Sequence, residues 1–136
     1  MRVLALDVGD RRVGLAISDP TGLLASPLGA VERGPSDVQD IIQVVTDNGA
    51  TSIVVGMPLT LAGESGAQAA KVRQFIRELR SATDIPVVTV DERLSTVQAR
   101  RLLTDMRGGR GSGRDRGHID ASAAAVILQS YLDARR

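Results

Sequence analysis

The chain has 136 residues, a formal net charge of +1, no cysteine and 43% hydrophobic residues. That length suits one domain, taken as 1–136, with enough apolar material for a layered core. No apolar stretch approaches the ~20 residues needed to cross a bilayer. The apolar start is too short for a secretory signal and is interrupted by Asp7, so the cytoplasm is the expected compartment and no membrane partner is expected.

In chain order, Val3-Leu4-Ala5-Leu6-Asp7-Val8 is apolar on both strand faces, the pattern of a central buried strand over 2–8. A turn at Gly9-Asp10 leads to a second strand over 12–18, a hairpin by spacing and turn chemistry. A third strand is expected over 27–32. Pro35 and Ser36 then open a helix that runs to Asn48-Gly49, with Val38, Ile41, Ile42 and Val45 at helical spacing. Residues 52–56 form a short buried strand, and the loop from Gly56 to Gly63 leads into a helix over 66–82 with Ala69, Val72, Phe75, Ile76 and Leu79 inward. Lys71, Arg73, Arg77 and Arg80 read as its solvated face. A strand over 86–90 follows, and Ser95 caps a helix over 96–106. The glycine- and arginine-rich stretch 107–117 is expected to be a mobile loop, either a solvated linker or a segment that closes over a nucleic-acid backbone. A terminal helix then opens at Ile119-Asp120, stacking Asp120 above Ala123, Ala124, Ile127 and Tyr131.

Three strands without an intervening helix, followed by alternating helices and strands, predict an α/β fold with a mixed five-stranded sheet. Its first three strands are antiparallel and its later strands parallel, with helices flanking them, the ribonuclease H-like arrangement. Three acids then stand out: Asp7 inside the first strand, Glu92 just past the strand at 86–90, and Asp120 on the sheet-facing side of the last helix. A lone buried carboxylate costs several kcal/mol, so it calls for a cation, a metal or a proton. Carboxylate oxygens suit hard divalent cations, and together the three are a candidate Mg²⁺ or Mn²⁺ site. Simpler readings stand beside this one. Asp120 suits the first turn of a helix, Glu92 can pair with Arg93, and Asp7 can pair with Arg11 or Arg12.

Charge is unevenly spread. Between Arg93 and Gly117 lie seven arginines against Asp105 and Asp115, whereas Glu32, Asp37, Asp40 and Asp47 face Arg33 alone. With only Phe75 and Tyr131 aromatic, base stacking is not the main binding mode, and phosphate contacts through arginine would dominate. Arg11, Arg12, Arg93, Arg110, Arg114 and Arg116 are the candidate nucleic-acid contacts, and His118 can orient water or lie on the surface. No P-loop motif occurs.

Leu6-Asp7-Val8-Gly9-Asp10-Arg11-Arg12-Val13-Gly14-Leu15-Ala16-Ile17-Ser18-Asp19 resembles the opening motif of the YqgF/RuvX family of Holliday-junction-resolvase-like nucleases. Gly56-Met-Pro-Leu-Thr-Leu-Ala-Gly63 resembles its glycine-proline loop, Asp91-Glu92-Arg93-Leu94-Ser95-Thr96 its acidic motif, and Ile119-Asp120 through Gln129 its terminal helix. Family members often carry lysines before the last acid, where Arg114, Arg116 and His118 stand here. The resemblance implies a divalent-metal phosphodiesterase with Asp7, Glu92 and Asp120 as the acidic set. It further implies trimming of the 5′ end of precursor 16S ribosomal RNA, with cleavage of four-way DNA junctions as the older attribution. In such a mechanism two Mg²⁺ or Mn²⁺ ions about 3.5–4 Å apart activate water and clamp the reacting oxygens. Asp7 would bridge them and Glu92 and Asp120 would flank, and a homodimer would suit paired cuts in a junction. Two other classes compete, an actin-like nucleotide-binding module and a non-catalytic RNA-binding domain.

Overall fold

The computed structural model describes residues 1–58, 66–91 and 113–135, with side chains of the last segment described from Ile119 onward. Its elements are β1 (Arg2–Val8), β2 (Arg12–Ser18), β3 (Ala25–Glu32), α1 (Asp37–Asn48), β4 (Ala50–Met57), α2 (Ala67–Ala82), β5 (Val87–Asp91) and α3 (Gly113–Ala134). The expected helix over 96–106 lies outside the described residues.

The strands form one sheet in the order β3-β2-β1-β4-β5. β1 pairs antiparallel with β2 and parallel with β4, and β4 pairs parallel with β5. The mixed sheet expected from the element order is therefore present. β1 is flanked on both edges and covered on both faces, which is why its sequence has no polar alternation.

The two faces differ in what they bury. Leu4, Leu6 and Val8 of β1 join Val13, Leu15, Ile53 and Val55 in a core closed by Ile41 and Val45 of α1 and Val72, Phe75, Ile76 and Leu79 of α2. The other face carries Val3 and Ala5 of β1, Ala16 of β2 and Val54 of β4 beneath Ala123, Ala124, Ile127, Leu128 and Leu132 of α3. Four of the nine residues buried in this second layer are alanines, so α3 can settle close to the sheet. At Gly14 the approach is tightest: a Cβ there would lie 2.1 Å from the Asp120 carbonyl oxygen. A strand glycine under an approaching backbone is a recurrent solution to such contact.

α3 departs from expectation at its start. The helix begins at Gly113 rather than at Ile119, so the segment 113–117, expected to belong to a mobile loop, is helical. Once a helix is nucleated and docked, adding residues is cheap, and this offsets the roughly 1 kcal/mol that each glycine costs in a helix. Residues 107–112 lie outside the described residues. α1 ends as expected, with Gly49 in the left-handed region at φ 65°.

The β2–β3 connection is held by one carboxylate. Asp19 accepts hydrogen bonds from the Leu23 and Leu24 N–H groups at 2.8 and 2.9 Å, from the Thr21 N–H at 3.3 Å and from the Thr21 hydroxyl. The Leu24 N–H foremost, then the Thr21 hydroxyl and the remaining N–H groups, hold its carboxyl far below the ordinary aspartate value of 3.8.

Two outcomes follow from this packing. Gly14→Ala should destabilise the fold by about 1–3 kcal/mol, read as a lower urea midpoint at unchanged slope, because the added methyl meets backbone that cannot rotate away. Asp19 is favoured as the anion in the folded state, so its contribution is complete above the unfolded value and is lost progressively as pH falls from there toward the depressed value of the folded state. Asp19→Asn should therefore lower stability at neutral pH and flatten its fall between roughly pH 5 and 2, measured by thermal melts across that range.

Candidate metal and nucleic-acid site

Asp7 shares strand parity with Val3 and Ala5, so it stands on the α3 face of the sheet, at the carboxyl end of β1. It is 6% exposed. Its cross-strand partner is Gly14, and the backbone of Asp120 presses on that same Gly14. One missing side chain thus brings two distant acids to neighbouring positions on one face, at the end of the parallel strands where open α/β sheets place their ligands.

Asp120 is the eighth residue of α3, two turns in from Gly113. It therefore neither caps the helix nor belongs to its first turn, and the dipole reading of that acid is set aside. Its carboxylate Oδ2 accepts a 3.0 Å hydrogen bond from Arg12 Nε. Arg12 Nη1 also stands 3.9 Å from Glu32 Oε1. The side chain of Arg12 is 14% exposed, against 32% for Asp120.

Arg12 was a candidate phosphate contact; in the fold its guanidinium lies between Asp120 and Glu32. Arg11 is exposed on the β1–β2 turn. Arg114 and Arg116 lie within the first turns of α3, and their side chains, like that of His118, are outside the described residues. Glu92, Arg93 and Arg110 are outside them as well. Glu92 directly follows β5, whose Val88 and Val90 pack on the α3 face.

The sequence reading gave no role to Arg33, which fixes the turn beside the site. Its Nη1 donates to the Gly9 carbonyl at 2.8 Å, its Nε to Asp37 at 3.0 Å, and its guanidinium lies 5.0 Å from the Phe75 ring centroid. Cation–π contact and a partly buried ion pair together tie the β1–β2 turn to α1 and α2. Arg33 also lines a groove with Asp10, Asp37, Lys71, Phe75 and Arg77, on the sheet face away from Asp120. Two of its basic groups, Arg33 and Lys71, are paired there with Asp37 and Asp10. Gly14 and Glu32 also went unassigned, although a glycine inside an apolar strand is itself a signal of close backbone approach.

Asp7 and Asp120 supply only carboxylate oxygens, the donor chemistry of Mg²⁺ and Mn²⁺ rather than of thiophilic metals. Among the described residues no group of three potential ligands gathers. The two acids that are described fit a hard cation.

Comparison with known proteins bears on what such a site does. The sequence profile of the RuvX family, described as "Holliday junction resolvase", matches residues 1–134. A protein of Roseiflexus sp. (strain RS-1) named "Putative pre-16S rRNA nuclease" is 47% identical over 137 residues, covering 99% of this chain and 96% of its own length. One of the same name from Synechococcus sp. (strain JA-3-3Ab) is 48% identical over 135 residues, covering 98% of this chain and 84% of its own. In fold, the chain is similar to T. thermophilus RuvC in complex with Holliday junction substrate, with TM-score 0.60 and 18% identity over 99% of this chain and 95% of that one. It is likewise similar to the fowlpox virus resolvase bound to Holliday junction DNA, with TM-score 0.57 and 11% identity over 99% of both chains. With a profile match from its first residue to Ala134 and near half-identity to full-length relatives, this chain belongs to the RuvX family.

Proposed function

We infer that this protein is a divalent-metal-dependent nuclease that processes the 5′ end of precursor 16S ribosomal RNA, a single catalytic domain over 1–136 working in the cytoplasm. The observation that carries the reading is the placement of Asp7 and Asp120 against the same residue, Gly14, on one face of the sheet. The names of its full-length relatives support the substrate.

Asp7 would hold the shared position, set rigidly in the central strand, with Asp120 and Glu92 on either side. Bound Mg²⁺ or Mn²⁺, in a two-ion site, would supply an activated water and relief of charge on the phosphorane-like transition state. The protein's own part is to hold carboxylates on rigid elements so that no reorganisation is needed during reaction. Arg11 on the exposed turn, with Arg93, Arg110, Arg114 and Arg116, would grip the phosphate backbone. These contacts favour shape and charge over base identity, since Phe75 is in the core and Tyr131 is the only other aromatic residue.

A second substrate is favoured by the description of the family profile itself, which names Holliday junctions. A two-fold homodimer would suit that substrate, because paired cuts need two sites related by symmetry.

The deciding experiment incubates the purified protein with precursor 16S ribosomal RNA, unstructured single-stranded RNA and a four-way DNA junction, with and without Mn²⁺. Precursor RNA should be cut at its 5′ side and only with metal; a preference for the junction would transfer the function to branched DNA. Asp7→Asn, Glu92→Gln and Asp120→Asn should each lower the rate on the order of a hundredfold or more while circular dichroism remains that of a folded protein. Undiminished cleavage by any one of them would remove that residue from the mechanism.

A further inference from the structure

We propose that Arg12 is a resident counter-cation of the acidic site, bonded to Asp120 while no metal is held and passed to its neighbour Glu32 when a divalent cation is taken up. The proposal rests on the reading of Asp7 and Asp120 as metal ligands, and it assigns Arg12 as a positioning residue rather than a phosphate contact.

The need for such a cation comes from the packing. Asp7 is buried, and Asp120 lies over Gly14, the cross-strand partner of Asp7, so two acids share one face of the sheet. Like charges at close range in a region of reduced dielectric raise the cost of folding. Among the described residues, Arg12 is the partner of the Asp120 carboxylate. It approaches from β2, two residues before Gly14 and on the same face.

The bond is built so that it can be released. Arg12 offers Asp120 one donor, Nε, at 3.0 Å rather than a two-donor fork, and single contacts are weaker and less specific in geometry than bidentate ones. A second acceptor is already in place. Glu32 is the cross-strand partner of Arg12, and its Oε1 lies 3.9 Å from Nη1, within ion-pair range but beyond a hydrogen bond. Glu32 is 79% exposed, so a pair with it needs little desolvation and contributes little, which keeps the two arrangements close in free energy. A metal ion would compete with Arg12 for the same carboxylate, and the nearby Glu32 lowers the cost of release.

The test is a thermodynamic cycle read by calorimetric titration of Mn²⁺ into the full chain as wild type, Arg12→Gln, Glu32→Gln and the double variant. Arg12→Gln should tighten Mn²⁺ binding roughly three- to tenfold, the range of one exposed-to-partly-buried ion pair. Glu32→Gln should weaken it about threefold in the wild-type background, and have no effect once Arg12 is gone. Without metal, Arg12→Gln should melt below wild type, and saturating Mn²⁺ should close that gap. Unchanged or weaker Mn²⁺ binding in Arg12→Gln would overturn the proposal, as would an equal effect of Glu32→Gln in both backgrounds, which would make Glu32 a plain surface charge. Because Glu32 is exposed, the weakening expected of the Glu32→Gln single variant is read without any Arg12 variant, and its absence would overturn the proposal. Asp120→Asn separates the two layers of inference. Wild-type Mn²⁺ affinity in that variant would overturn the metal reading and the Arg12 proposal together. Lost affinity there with no response in Arg12→Gln would overturn the Arg12 proposal alone.

Discussion

The contact between the backbone of Asp120 and the bare Cα of Gly14 is the constraint on which the rest of the site depends. It sets the height of α3 over the sheet and brings the helix's acid beside the strand's acid. Neither residue achieves this locally. Alanines at 5, 16, 123 and 124 keep the layer between helix and sheet thin enough for the backbones to meet. In a close-packed interior that spacing cannot drift, because a single methyl group changes it.

The two faces of the sheet divide the work. The α1–α2 face buries leucines, isoleucines, valines and Phe75, large apolar side chains that supply most of the burial free energy. The α3 face buries smaller side chains and gains less, but it offers a close and rigid approach of helix to strand. A charge such as Asp7 is costly in either layer. It is tolerated where the opposite core is large enough to offset it and where a cation stands near. Arg33 links the layers: it joins the turn that carries Arg11 and Arg12 to α1, α2 and Phe75, so the site's basic residues inherit the stability of the larger core.

Arg12 illustrates why a residue's chemistry does not settle its role. An arginine two residues before a site glycine, in a protein that binds nucleic acid, suggests a grip on phosphate. In the fold its Nε donates to the Asp120 carboxylate, which places its charge within the acidic face as well. The same guanidinium can do either, and the distinction is one of burial and distance rather than of residue type.

Local patterns in the sequence determined the elements. Helical spacing placed Ala69, Val72, Phe75, Ile76 and Leu79 inward on α2, and the apolar run of β1 marked a central strand. Asn48-Gly49 marked the end of α1 because a left-handed residue there favours glycine. The acids were legible for a physical reason too, since an ionised group inside an apolar pattern is conspicuous. What the sequence could not determine was distance between remote segments. Gly14 and Asp120 are more than a hundred positions apart, and no periodicity links them. The extension of α3 back to Gly113 opposed local glycine propensity, and docking on the sheet outweighed it. The ion pair of Arg12 with Asp120 was likewise decided by tertiary packing, because only the folded chain brings a strand's first residue against the third turn of its last helix.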